Sequence, residues 1–306
     1  DRMFLGLKPQ VAVVTNVEYD HPDCFPTVEV YHQAFIDFAA GILPGGALLA
    51  CGDDAGAAQL LGEAREHGIR ALAYGIDAQG LAYRAENLVP HPAGGYAFDI
   101  AFSQPERSPL RPAARLLVPG RHNVLNALAA LAVADQLGLP LAQAGAALSE
   151  FCGTGRRFEL RGEAGGVTVI DDYAHHPTKI RVTLAAARMR YPGRRIWAVW
   201  QPHTYSRTRR LLAEFAQAFE QADRVVVTEI YAAREQAPAD GFSSRQVLAA
   251  MDRNGIHYAP DLGQASEYLL SQLHRGDVLL VMSAGDADQV STRVLAGLQE
   301  RSSRNG

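Results

Sequence analysis

The stretch VTVIDDYAHHPTKI, Val167 to Ile180, sets an acid pair, an aromatic hydroxyl and two histidines between an apolar run and the start of a helix. Val167, Val169 and Ile170 read as a buried strand. Pro177 suits the first helical position, where its missing N–H costs nothing, and Thr178 to Tyr191 continue with helix formers. The polar side chains therefore fall at the carboxyl end of a strand and against a helix N-terminus. Open α/β sheets bind ligands at that edge, and unpaired backbone N–H groups favour anions there. Asp171 and Asp172 could instead cap the helix while the histidines close a loop. So many polar and aromatic groups in succession point to a site.

Downstream of this stretch, strands and helices alternate. Strands are expected at Ile196 to Trp200, Arg224 to Glu229, around Tyr258, and from Asp277 to Met282. Helices are expected over Ser206 to Ala222, Ser243 to Arg253, Gly263 to Leu273 and Ala287 to Glu300, with RSSRNG as a frayed tail. This is the pattern of a doubly wound parallel sheet. SAGDAD, after VLLVM, is a second strand-end loop carrying a glycine.

Upstream, strands from Val11 to Asn16, Ala47 to Cys51 and Ala71 to Tyr74 alternate with helices from Thr27 to Gly41 and Ala55 to His67. Short alternating runs such as Tyr96 to Phe102 follow, with turn residues between them, and predict a few antiparallel strands before Leu117. Two helices, Pro119 to Leu139 and Leu141 to Phe151, lead to the glycines of GTGRRFELRGE, a junction between domains 1–155 and 156–306. The fold class is α/β, with a mixed sheet first and a doubly wound sheet second.

At 306 residues and 48% hydrophobic, the chain can fill two cores of ordinary size. The net charge is −4 and no basic run occurs, which gives no electrostatic footprint for nucleic acid or an anionic membrane. Small molecules or protein are the expected partners. Cys24, Cys51 and Cys152 are too widely spaced for a metal knuckle and fit mostly buried thiols in a reducing, cytoplasmic compartment. No apolar run reaches membrane-spanning length, and the first residues lack the pattern of a signal peptide. The only lysines are Lys8 and Lys179, neither preceded by glycine. A Walker-type phosphate loop needs Gly-Lys-Ser/Thr, so the sequence contains none.

Four further clusters carry chemistry. In NVEYDHPD, Glu18, Asp20 and His21 follow a buried strand, where carboxylates suit Mg²⁺ and an imidazole can add a ligand or simply close a turn. PGRHN and the following turn place Arg121, His122, Asn123 and Asn126 at a helix start, to meet an adenine edge or to cap and coat the helix. The adjacent arginines of GTGRRF suit bidentate phosphate contact or an exposed salt bridge. WQPHTYSRTRR sets His203, Arg207 and Arg209 at another strand end, where they could hold a carboxylate.

Taken together, TNVEYDHPD, PGRHNVLNALAAL, GTGRRFE, DDYAHHPT, QPHTYSRT and SAGDAD resemble the Mur ligase superfamily, in family order and over nearly the whole chain. The likeness is greatest to the branch joining L-alanine to UDP-N-acetylmuramate. VEYDHPDCF and RRFELRGEAGGVTVIDDYAHHPT also resemble the branch that attaches a tripeptide to the same sugar nucleotide, while QPHTYSRT favours the former. A binding module without catalysis is the reading of another class. The resemblance implies an incomplete central ATPase-like domain and a Rossmann-like C-terminal domain that helps hold the amino acid. It also implies a sugar-nucleotide domain, the phosphate loop and a Mg²⁺-binding glutamate upstream of Asp1. The implied reaction uses ATP and Mg²⁺ to form an amide through an acyl phosphate. By resemblance His21 binds Mg²⁺, Asn123 and Asn126 the adenine, Arg157 the phosphates and Asp172 the ribose. Tyr173, His175, His203 and Arg207 then face the amino acid and acyl phosphate. Thr204 departs from the pattern, since some alanine ligases carry arginine there.

Overall fold

The structure, a computed structural model, describes residues 2–21, 24–91 and 94–304. It divides into two compact units, one through Cys152 and the other from Gly153. The first unit holds strands β1 (Val11–Val14), β2 (Ala47–Cys51), β3 (Ala71–Gly75), β4 (Tyr83–Pro90), β5 (Tyr96–Phe102) and β6 (Leu110–Arg115), joined in that order into one sheet. β1 to β4 run parallel, and β5 and β6 continue antiparallel, as the change of texture after Leu81 predicts.

Its helices are α1 (Val28–Ala40), α2 (Ala55–Glu66), α3 (Arg121–Gln136) and α4 (Leu141–Ser149). Local chemistry starts the first two. The Thr27 side chain accepts from the Val30 N–H, and Asp54 Oδ1 accepts from the Ala57 N–H, each satisfying a donor that the helix leaves open. Ala127, Ala129 and Ala132 bury the small-residue face of α3 beside Leu128 and Leu131. α4 lies so close to β6 that a Cβ on Gly145 would stand 1.9 Å from the Ala113 carbonyl oxygen, so only glycine fits there.

The second unit is built on β7 (Glu159–Ala164), β8 (Val167–Asp172), β9 (Ile196–Trp200), β10 (Arg224–Thr228), β11 (Ile256–Ala259) and β12 (Val278–Met282), in the spatial order β11-β10-β9-β12-β8-β7. All neighbours are parallel except β7, an antiparallel edge strand against β8 in the segment expected to be a junction. The helices are α5 (Pro177–Arg190), α6 (Tyr205–Arg210), α7 (Leu212–Gln217), α8 (Ser244–Ala250), α9 (Leu262–Gln272) and α10 (Asp288–Arg304). The single helix expected over Ser206 to Ala222 is two short ones, broken at Leu211. The last helix runs through Arg301 to Arg304, residues expected to fray, while Asn305 and Gly306 lie outside the described residues.

Helices cover both faces of this sheet. On one, Trp200 packs against Phe215 and Phe219 with centroids 4.6 and 5.3 Å apart. On the other, Val169, Val199 and Val281 meet Val290 and Val294 of α10. Among the described residues no helix is long and apolar enough to cross a membrane. Of the three thiols only Cys51 is buried; Cys152 is exposed and Cys24 half-buried, against the expectation of mostly buried cysteines.

Candidate functional site

In the second unit, the carboxyl ends of β8, β9, β10 and β12 bring together residues far apart in sequence. Just past β8, Tyr173 is half-buried and His175 is 7% exposed. Their rings meet edge to face at 5.1 Å, and His175 Nδ1 lies 2.8 Å from the Tyr173 carbonyl oxygen. His203, just past β9, has its ring centroid 5.9 Å from that of His175. Arg207, on α6 and 4% exposed, donates from Nη1 to His203 Nδ1 at 3.1 Å. Tyr173, His175, His203 and Arg207 therefore form one contiguous group on one edge of the sheet.

Two residues that the sequence reading passed over complete it. Tyr231, beyond β10, stacks on His203 with centroids 5.7 Å apart and planes 19° from parallel. Its backbone is pinned, the Tyr231 N–H donating to the Pro202 carbonyl at 2.8 Å and the Thr204 N–H donating to the Tyr231 carbonyl at 2.9 Å. That pairing holds Thr204 at φ 66° and ψ 143°, a conformation costly for a β-branched residue. The second is Gln201. Its Oε1 accepts from Ser283 Oγ at 2.6 Å and from the Asp286 N–H at 3.1 Å, which ties the SAGDAD loop to β9. A Cβ on Gly285 would lie 2.5 Å from Gln201 Oε1 and 2.7 Å from the Tyr231 ring, so this loop passes as close as glycine allows.

The arginine pair after the glycine turn separates into two jobs. Arg156 turns inward and donates to the carbonyls of Ser283 and Gly285 at 2.8 and 3.1 Å, bracing the two loops against each other. Arg157 is exposed, with its guanidinium 5.2 Å from the centre of the Tyr173 ring. It is the one of the two that faces outward.

The acid pair does not cap α5, whose N-cap is His176, with no side-chain capping bond. Asp171 is buried and bonds Ser291 Oγ and the Arg161 guanidinium. Asp172, 8% exposed, accepts from the Phe158 N–H at 2.9 Å and the Ala174 N–H at 2.7 Å. Burial pushes both carboxyls above the ordinary carboxylate value, against the pull of these donors. Asp172 thus fastens the arginine turn to the end of β8, a task its place in the sequence did not announce.

The remaining candidates belong to the first unit. His21 is exposed at φ 57°, and its N–H donates to Asp20 Oδ1 at 2.8 Å. Its ring Nε2 lies 3.9 Å from Asp20 Oδ2. Among the described residues no three metal-ligating side chains form a cluster. The Asp20 carboxylate beside the imidazole is a hard oxygen ligand of the kind Mg²⁺ takes. Asn123 and Asn126 lie on one face at the start of α3. Asn123 Nδ2 donates to the Pro119 carbonyl at 2.7 Å, and Asn126 Nδ2 donates to Asn123 Oδ1 at 3.2 Å. Neither is the N-cap, which is Gly120. Just before Asn123, His122 is held below the ordinary imidazole value by burial.

Two α/β units whose polar groups gather at strand ends and helix starts define a ligand-binding protein of the open-sheet kind. Residues 2–134 match the family model described as Mur ligase middle domain, and residues 156–285 match the one described as Mur ligase, glutamate ligase domain. The chain belongs to the Mur ligase family. It is 43% identical over 311 residues to a UDP-N-acetylmuramate–L-alanine ligase of Chloroflexus aggregans, covering 98% of this chain and 65% of that protein. It is 42% identical over 302 residues to the protein of the same name from Kineococcus radiotolerans, covering 98% and 62%. The crystal structure of UDP-N-acetylmuramate-alanine ligase from Thermotoga maritima superposes with a TM-score of 0.74 at 25% identity, over 100% of this chain and 62% of that one. The chain thus spans less than two thirds of the length of the relatives it matches.

Proposed function

We propose that this chain is the central and C-terminal part of an ATP-dependent ligase that joins L-alanine to UDP-N-acetylmuramate in peptidoglycan precursor synthesis. Residues 1–155 are then the incomplete nucleotide-binding domain and 156–306 the amino-acid-binding domain. The observation that carries this reading is the group of Tyr173, His175, His203 and Arg207. A buried guanidinium and two imidazoles at a strand edge suit the carboxylate and ammonium of a small amino acid.

In this reading Asn123 and Asn126 meet the adenine, exposed Arg157 meets phosphate, and His21 contributes to Mg²⁺. The metal, when bound, would neutralise developing phosphate charge. Asp172 acts on the nucleotide side chiefly by holding the turn that carries Arg157. Amide formation through an acyl phosphate then depends on holding the amine against the activated carbonyl, and well-oriented reactants alone lower such a barrier by several kcal/mol, of the order of 7–11 in favourable cases. The phosphate loop absent from this sequence has to be supplied by the upstream portion that the family resemblance implies.

The test is a coupled assay on a form carrying that portion, with UDP-N-acetylmuramate, ATP, Mg²⁺ and either L-alanine or a tripeptide. L-Alanine-dependent ADP release with formation of the amide is expected. Preference for the tripeptide, or no ATP-dependent joining, overturns the reading.

A further inference from the structure

The helix that carries Arg207 is one its own sequence does little to sustain. α6 has six residues, YSRTRR, and its N-cap Thr204 makes no side-chain cap bond. Isolated helices are marginal even at about 12–15 residues, because so few hydrogen bonds repay the cost of the first turn. Arg207, Arg209 and Arg210 all fall in its last turn, and like charges on neighbouring helical positions oppose the helix further. Yet α6 holds Arg207 4% exposed at the sheet edge. The loop between β10 and α8, residues 229–243, has no helix or strand of its own and meets this segment at three points. The Tyr231 carbonyl accepts from the Thr204 N–H at 2.9 Å. Glu235 Oε2 accepts from the Ser206 N–H at 3.0 Å, and its Oε1 from Ser206 Oγ. Asp240 Oδ1 accepts from Arg209 Nη2 at 2.8 Å, and that guanidinium stands 4.6 Å from the centre of the Phe242 ring.

We propose that Glu235 is a positioning residue of the site: it takes the place of the missing cap, holds the first turn of α6, and through that turn sets where Arg207 lies. An N-cap side chain accepts from the second or third N–H of its helix. Ser206 is the second residue of α6, and its N–H is met by a carboxylate 29 positions away in sequence. Of the three tethers this one decides most. The Arg209–Asp240 pair is about half exposed on both sides, where an ion pair contributes little. The Tyr231 bond fixes the residue before the helix and reaches no donor inside it. Half-buried Glu235 places a charged acceptor on an N–H of the helix itself, the stronger kind of hydrogen bond. The consequence for a substrate rests on the ligase reading; the ordering of α6 by Glu235 does not.

The test begins with hydrogen exchange on the 306-residue chain. The Thr208 and Leu211 amides bond the Thr204 and Arg207 carbonyls and so report whether α6 stays wound. Glu235→Ala is expected to speed their exchange roughly tenfold, with the β9 and β10 amides unchanged. Glu235→Gln keeps an acceptor oxygen for the Ser206 N–H and should restore most of the protection, while Gln236→Ala, exposed on the same loop, should alter nothing. In a form competent for the reaction, Glu235→Ala should raise the KM for L-alanine roughly three- to tenfold and leave the KM for ATP in place. Exchange altered at Ser206 alone would make Glu235 the partner of a surface donor and overturn the proposal, as would equal rises in both constants. A wild-type form that joins nothing with ATP sinks the ligase reading, while exchange at Thr208 and Leu211 still decides whether Glu235 places α6.

Discussion

Asp172→Ala tests whether that carboxylate holds the fold together or serves only a ligand. The wild-type side chain accepts two backbone N–H groups, from part-buried Phe158 at 2.9 Å and buried Ala174 at 2.7 Å. Leaving a buried donor without its acceptor costs about 1–3 kcal/mol, so the two together amount to roughly 2–6 kcal/mol. Part is returned because the variant no longer buries a carboxylate, whose cost is visible in the raised Asp172 pKa. A net loss of about 2–4 kcal/mol is expected. In a unit of this size that lowers the melting temperature by about 5–15 °C. Asp172→Asn keeps one acceptor but turns an amide N–H₂ toward a donor, and should fall between the two. Hydrogen exchange adds a local reading, since the Phe158 and Ala174 amides should lose protection before the β9 amides do. Unchanged melting and unchanged exchange at both amides, with a weakened nucleotide affinity, would refute the structural assignment and restore Asp172 to the ribose alone.

The other expectations are shorter. In a form competent for the reaction, Arg207→Lys should raise the KM for L-alanine by roughly thirtyfold, about 2 kcal/mol, with little change in the KM for ATP, because a lysine cannot reproduce a planar guanidinium beside His203; equal changes in both constants would end that assignment. The 306-residue chain alone should release no phosphate from ATP, since it lacks the lysine and amide cradle of a phosphate loop, and steady release from contaminant-free protein contradicts this. In the first unit Arg107 grips Asp135 with two hydrogen bonds, at 2.7 and 2.8 Å, and holds its carboxyl below the ordinary value. A lowered folded-state pKa contributes stability above the ordinary carboxylate range and loses it as pH falls through the lowered value. The gap in stability between wild type and Asp135→Asn, about 1 kcal/mol at neutral pH for this half-exposed pair, should therefore close in acid; denaturant titrations showing a constant gap would rule out the ion pair as its source. Gly285→Ala should disturb the His203 ring, because the added Cβ meets Tyr231 at 2.7 Å, and a His203 NMR signal unmoved by the substitution would show that Tyr231 does not fix that ring.

The central parallel strands were legible because they are buried on both faces and read as unbroken apolar runs, as IWAVW and VLLVM do. β7 was not: ELRGEA lies on a sheet edge with only Ala164 buried, so neither burial nor alternation leaves a period to detect. The break at Leu211 carries no proline or glycine, and nothing local marks it. Of the site, the residues crowded at a strand end were visible one stretch at a time, since Tyr173, His175, His203 and Arg207 each follow an apolar strand. Tyr231 was open to the same reasoning, as an aromatic two positions past the Thr228–Glu229 strand end, yet a lone tyrosine among charged residues gives a weaker signal than paired histidines. Arg156 and Arg157 look alike in sequence. Only the approach of the SAGDAD loop, a contact across more than a hundred residues, makes one a brace and leaves the other facing solvent.

β8 and β9 never touch; β12, the last strand to be synthesised, lies between them. On a ribosome that adds roughly 5–20 residues per second, Tyr173 and His203 emerge several seconds before the strand that sets them side by side. Until Met282 has left the exit tunnel, the nascent chain owns every side chain of the pocket but none of its geometry. A premature stop between Tyr231 and β12 therefore spares each of these side chains while removing the strand that sets them side by side.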